Sequence, residues 1–194
     1  LTTSDPAADG RRPLGFWTIP NSLTMSRIPL GVIVLFQIST GFYLGAAIVF
    51  GIAAITDGLD GWAARKLGQA SALGRQLDPL IDKLFVAAIL ITLLTVPGTG
   101  LSAWMVTIIV VRELLIQGIR SLIEGKGSAF GAKLSGKLKT TFQCLSIAAI
   151  LLALSFQPAA GWLLLRDFFT WAAVGLTIYS GLIYVIAAYP TLKQ

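Results

Sequence analysis

Asp57, Asp60, Asp78 and Asp82 stand in stretches that are otherwise strongly apolar. An acid at bilayer depth opposes insertion by roughly 2.5–3.5 kcal/mol, so four together imply a partner that offsets their charge. Their spacing is i, i+3 and then i, i+4, which sets each pair on one face of a helix; a short turn lets the two faces meet. Converging carboxylate oxygens match the coordination preferences of hard divalent ions, Mg²⁺ or Mn²⁺, rather than those of softer metals. Two such ions offset the four carboxylates and still present positive charge to a diphosphate, which makes phosphoryl transfer the expected chemistry.

The residues around the acids fit a phosphate ligand. Gly61, four after Asp57, and Ala64 keep the acidic face free of bulk, Gly74 does the same four residues before Asp78, and Arg65 offers a two-pronged guanidinium. Small residues in membrane helices also permit close packing, and that is the reading for Gly51 and Ala54. Gly61, Ala64 and Gly74 are in register with the acids, which assigns them to ligand approach.

The elements that must hold these groups are legible from hydropathy. The chain has 194 residues, 55% of them hydrophobic and 12% charged, against about 25% charged in an ordinary soluble domain; its mean hydropathy is +0.79. These values predict an all-α integral membrane protein. Residues 1–20 read as a polar tail ending in an interfacial anchor at Phe16, Trp17 and Ile19, without the pattern of a cleaved signal peptide. Residues 21–194 read as one membrane domain, with apolar spans at about 22–39, 43–65, 77–96, 103–123, 138–156 and 165–189, each near the ~20 residues that cross a bilayer. Gly41, Pro97–Gly98 and Pro158 mark short turns, and Trp62, Trp104, Trp162 and Trp171 mark span ends.

Lys and Arg orient the bundle. The 1–2 and 3–4 turns carry none and the 5–6 turn region carries only Arg166, whereas the tail, the 2–3 turn and the 4–5 loop hold Arg11, Arg12, Arg65, Lys66, Arg75, Lys126 and Lys133. The positive-inside rule then predicts cytoplasmic termini and a polar active-site cavity open to the cytoplasm. The net charge of +6 is spread over several loops without a basic stripe interleaved with aromatics, so nucleic-acid binding is not expected. The chain has no histidine, which excludes Ser-His and Cys-His catalysis and histidine-ligated zinc. Cys144 is the only cysteine and reads as a small buried hydrophobe. The spacing Gly131 to Gly136-Lys137 mimics a P-loop, but Leu138 replaces the required Ser or Thr and no strand precedes it.

Written out, Asp57-Gly-Leu-Asp60-Gly61-Trp-Ala-Ala64-Arg65, eight residues to Gly74, three to Asp78 and three to Asp82 form D-x-x-D-G-x-x-A-R-x8-G-x3-D-x3-D. This resembles the signature of the CDP-alcohol phosphotransferases. Asn21 to Arg27, Arg112-Glu113 with Arg120, and Gly136-Lys137-Leu-Lys139-Thr140 with Gln143 are similar to the phosphatidylglycerophosphate synthase branch of that family. The resemblance covers most of residues 20–145, and the last span carries little of it. It implies six transmembrane helices in a homodimer, and transfer of a phosphatidyl group from CDP-diacylglycerol to sn-glycerol 3-phosphate with release of CMP. Asp57, Asp60 and Asp78 would then ligate two divalent ions, Mg²⁺ or Mn²⁺, with Asp82 as both ligand and general base. Gly61, Ala64, Arg65 and Gly74 would line the cytidine diphosphate pocket, with Asn21 and Thr24 nearby on a polar stripe that recurs every third residue to Arg27.

The acceptor's phosphate needs cations of its own. Arg112, Arg120, Lys137 and Lys139 lie within or beside the cytoplasmic ends of spans four and five and are the candidates. Contact with lipid headgroups is the competing reading, and it suits Lys126 and Lys133. Arg112 lies deeper, where pairing with Glu113 is the structural alternative. Other acceptors, inositol phosphate or phosphatidylglycerol, would use the same chemistry. A cation transporter or channel would also place acids inside helices, but it has no need of Arg65, Gly74 and a separate basic cluster.

Overall fold

The computed structural model describes residues 19–67, 72–125, 134–156 and 160–192, with side chains described over 28–56, 81–123, 136–156 and 160–188. The described residues form six helices and no strand: α1 (Ile19–Ser39), α2 (Tyr43–Leu67), α3 (Ala72–Leu93), α4 (Ala103–Gly125), α5 (Leu134–Ser155) and α6 (Ala160–Leu192). Each expected span corresponds to one helix. The largest differences are at α3, which starts at Ala72 and so takes in Gly74, and at α6, which starts at Ala160 and so takes in Trp162.

The turn at Gly41 forms as expected, and its geometry explains the glycine. Gly41 has φ 78°, and its N–H bonds the Ile38 carbonyl at 3.1 Å while the Phe42 N–H bonds the Gln37 carbonyl at 2.8 Å. That paired 5→2 and 6→1 arrangement is a Schellman motif, whose left-handed position suits a residue without Cβ. It ends α1 and reverses the chain into α2. Helix α1 packs on α2 and α3, α2 and α3 each reach α5, α3 also meets α4, and α6 lies against α4 and α5.

The apolar core fills the half of the bundle nearer this turn and the α3–α4 loop. Val34 and Ile38 of α1, Ala46 and Phe50 of α2, Ile89, Leu90 and Leu93 of α3, Met105 and Ile109 of α4, and Ile147, Ile150 and Leu151 of α5 are buried together. Large apolar side chains also cover the outside: Val32, Phe36, Ile48, Ile55, Leu122, Leu164, Phe168 and Ile186 are each more than half exposed. Buried polar residues lie within: Glu113, Lys139, Gln143, Ser146, Thr170, Thr177 and Ser180 are each at most 6% exposed. A water-soluble domain seldom shows so large an apolar exterior.

Among the described residues, Gly136–Ser155 and Ala160–Ala188 are long and apolar enough to cross a membrane, while Ile28–Ser39 and Tyr43–Thr56 are shorter apolar stretches. Charged residues break the apolar runs of α2, α3 and α4. Asp57 and Asp60 interrupt α2, Asp78, Asp82 and Lys83 interrupt α3, and Arg112, Glu113 and Arg120 interrupt α4.

Candidate functional site

Above the core, α2, α3, α4 and α5 part around a cavity of about 220 Å³. Its floor is apolar: Phe50 and Phe85 stack with ring centroids 5.9 Å apart and planes 14° from parallel, beside Ala53, Ala54 and Val86. Its walls are charged. Asp82 and Lys83 of α3, Glu113 and Arg120 of α4, and Lys139, Thr140 and Gln143 of α5 line it, with Cys144.

The charged walls follow from helical register. Glu113, Gln117 and Arg120 recur at i, i+4 and i+7 on α4, and Lys139, Gln143 and Ser146 do so on α5, so each helix turns one polar stripe inward. The stripes are joined across the bundle. The Lys139 ammonium donates to Glu113 Oε1, and the Lys83 ammonium donates to Gln117 Oε1. Gln143 Nε2 donates to Thr177 Oγ1 at 3.1 Å, and the Ser146 and Thr170 hydroxyls are 2.9 Å apart. These four contacts pair polar groups where water is scarce.

Glu113 is the hub. It also accepts from Arg112 Nη1 at 3.2 Å, and Arg112 Nη2 donates to Ser180 Oγ of α6 at 3.0 Å. The guanidinium lies over the Tyr184 ring, 5.5 Å from its centroid, in a cation–π contact. Gly181 permits this approach, since a Cβ there would come within 3.1 Å of Arg112 Cγ. One carboxylate from α4 thus connects a cation on α5 with a cation braced on α6.

Of the expected site residues, the structure brings Asp82, Arg120 and Lys139 to one cavity. Arg112 sits behind Glu113 and is directed toward α6, and Lys137 is exposed on α5. Asp57, Asp60, Gly61, Ala64 and Arg65 lie on α2, Gly74 and Asp78 on α3, and Asn21, Thr24 and Arg27 on α1, all outside the residues whose side chains are described. Lys126 and Lys133 fall between α4 and α5, outside the described residues. The Gly136-Lys137-Leu138 run lies inside α5, which is not the loop a P-loop needs.

The sequence reading missed Lys83 and Gln117, and it weighed Glu113 only as a partner for Arg112. A signal was present: Lys83 is an ionisable residue in an apolar stretch, and Gln117 continues the stripe that Arg120 belongs to.

Helices α2 and α3 run through all four acids, so the intervals between Asp57 and Asp60 and between Asp78 and Asp82 are true helical intervals. Among the described residues no three acids, cysteines or histidines gather as a metal site; one member of the quartet, Asp82, has a described side chain, and it lies on the cavity wall. Carboxylate oxygens of this kind suit a hard divalent cation.

Comparison with known proteins gives consistent matches. A family profile described as CDP-alcohol phosphatidyltransferase matches residues 17–179. A curated protein of Bacillus subtilis, CDP-diacylglycerol–glycerol-3-phosphate 3-phosphatidyltransferase, is 35% identical over 193 residues, covering 91% of this chain and 98% of its own. Relatives of the same name from Pseudomonas fluorescens (35% over 182 residues, 90% of this chain and 92% of theirs) and Escherichia coli K12 (35% over 144 residues, 70% and 77%) are similar to it as well.

Proposed function

The chain belongs to the CDP-alcohol phosphatidyltransferase family, and from that premise we propose that it transfers the phosphatidyl group of CDP-diacylglycerol to sn-glycerol 3-phosphate in phospholipid synthesis. The observation that carries this reading is the meeting of Asp82 with Arg120 and Lys139 in one cavity, in a chain whose relatives are named for that donor and acceptor. The two ends of the acceptor make opposite demands: its hydroxyl needs a proton acceptor and its phosphate needs cations. The cavity holds both.

In this reading Asp82 takes the proton of the acceptor's primary hydroxyl. The hydroxyl oxygen bonds the β-phosphorus of CDP-diacylglycerol, the bond from that phosphorus to the bridging oxygen breaks, and CMP departs. Arg120 binds the acceptor's phosphate with paired N–H donors. Lys139, fixed by Glu113, adds a cation at the wall; Arg112, braced against α6, supports Glu113, and Lys137 lies at the outer edge of the same group. Gly61, Ala64, Arg65 and Gly74, with Asn21 and Thr24, form the donor's nucleotide pocket. Asp57, Asp60, Asp78 and Asp82 would hold two divalent ions, Mg²⁺ or Mn²⁺, whose charge would polarise the diphosphate.

The apolar exterior and polar interior support six transmembrane helices over residues 21–194, following a tail over 1–20, and the Lys and Arg distribution supports a site and termini on the cytoplasmic side of a bacterial inner membrane. A homodimer surrounded by membrane lipids completes this reading.

The test is an acceptor panel with purified protein in detergent, radiolabelled CDP-diacylglycerol and Mg²⁺ or Mn²⁺. Glycerol 3-phosphate should support CMP release far better than glycerol, inositol phosphate or phosphatidylglycerol, and EDTA should stop it. Preference for another acceptor would reassign the branch; full activity in excess EDTA would overturn the metal-ion reading. Asp57→Asn, Asp60→Asn and Asp78→Asn should each abolish transfer in the same assay.

A further inference from the structure

We propose that Lys83 binds the acceptor's phosphate, as a specificity-determining residue beside Asp82. The inference rests on the transfer reading above and deepens it by naming a cation that the sequence motifs leave out.

The two lysines in the cavity differ in their partners. Lys139 is only 4% exposed and its ammonium meets the Glu113 carboxylate, so much of its charge is offset within the protein. Lys83 donates to the Gln117 amide oxygen and forms no ion pair among the described residues. An amide carbonyl orients an ammonium without neutralising it, and two of the three ammonium protons remain for a ligand. Gln117 therefore holds a charged group at the wall and leaves the charge available to an anion.

Position makes the same point. Asp82 and Lys83 are consecutive on α3, and both line the cavity that Arg120 and Lys139 enter from α4 and α5. A three-carbon acceptor carries its attacking hydroxyl and its phosphate close together, so the carboxylate that takes the proton and the cation that holds the phosphate must be neighbours. Lys83 adds a cation from α3 to that of Arg120 on α4, so the phosphate meets donors from two helices. A neutral alcohol would leave those cations without an anion, a mismatch that selects for a phosphorylated acceptor.

The experiment compares the parent with Lys83→Met, Lys83→Arg and Gln117→Met as purified full-length chains in detergent, varying glycerol 3-phosphate and CDP-diacylglycerol separately. Lys83→Met should raise the apparent KM for glycerol 3-phosphate about tenfold or more while the donor KM stays within about twofold. Turnover of plain glycerol, relative to glycerol 3-phosphate, should rise in the same variant, and Lys83→Arg should recover much of the acceptor affinity. Gln117→Met should raise the acceptor KM by about two- to fivefold, because it frees Lys83 without removing it. This second variant decides the matter if melting shows that Lys83→Met is unfolded. An unchanged acceptor KM overturns the proposal, and so does an equal rise in the donor KM, which would put Lys83 on the diphosphate. Loss confined to kcat overturns it too, since Lys83 would then act only through Asp82. A parent that releases no CMP with glycerol 3-phosphate refutes the transfer reading and this inference with it, whereas an active parent with indifferent variants refutes this inference alone.

Discussion

Arg112–Glu113 and Arg166–Asp167 are each an arginine followed at once by an acid, and the two pairs have opposite surroundings. Glu113 and Arg112 have side chains only 8% and 10% exposed, and Glu113 also receives the Lys139 ammonium. Asp167 is 51% exposed, and Arg166 Nη1 reaches across to the Gly98 carbonyl at 2.7 Å, pinning the α3–α4 loop against α6. The first pair organises charge where a ligand can enter, and the second fastens a loop at the other end of the bundle. An adjacent arginine and acid in sequence therefore carry no fixed role. What surrounds the carboxylate decides it: a second cation and little water at Glu113, solvent at Asp167.

If that difference is real, substitution should separate the two pairs sharply. Glu113→Leu leaves Lys139 and Arg112 without their carboxylate in the interior, and breaking a buried pair by removing one partner costs about 3–5 kcal/mol. Melting in detergent should fall by roughly 10 °C for a chain of this size. The double change Glu113→Leu with Lys139→Met should recover part of the loss, because Lys139 no longer faces an apolar partner while Arg112 still lacks its carboxylate and keeps Ser180. A single variant that melts like the parent would erase the contrast.

Gly100→Ala should have an intermediate effect. Gly100 has φ 72°, and an added Cβ would lie 2.9 Å from Arg166 Nε, so the change strains the backbone and disturbs the loop contact together. A left-handed position costs an L residue roughly 1–2 kcal/mol, and the acceptor KM should not move. The smallest effect belongs to Asp167→Asn: an exposed pair contributes roughly 0–1 kcal/mol, so a shift in melting of several degrees would show that the loop depends on this pair more than its exposure implies.

The same contrast explains what the sequence disclosed. The helices were legible because apolar runs of membrane length are bounded by glycine and proline turns, and Gly41 could be placed because its turn requires a left-handed residue. The acids were legible because charge in an apolar run is expensive. Partnership was not legible. Arg120 and Lys139 read in sequence as cations for a ligand, and Arg112 as that or a partner of Glu113, yet the contacts that give Lys139 to Glu113 and Arg112 to Ser180 join residues 26 and 68 positions apart. Lys83 escaped notice for a related reason: it is a lone charge beside Asp82, and its partner Gln117 lies 34 residues away. Arg166, counted with the 5–6 turn region, lies well inside α6, which accommodates it by sending its guanidinium to Asp167 and the Gly98 carbonyl.

The central claim is that one cavity serves both ends of the acceptor, with Asp82 at the hydroxyl and Arg120 at the phosphate. The most direct measurement is steady-state CMP release by the parent, Asp82→Asn and Arg120→Gln over a range of glycerol 3-phosphate at saturating CDP-diacylglycerol. Asp82→Asn should lose kcat with donor affinity largely kept. Arg120→Gln should lose about ten- to a hundredfold in kcat/KM, as expected for a charge-assisted contact, chiefly through the acceptor KM. Parental acceptor KM in Arg120→Gln, or near-parental kcat in Asp82→Asn, would contradict the account.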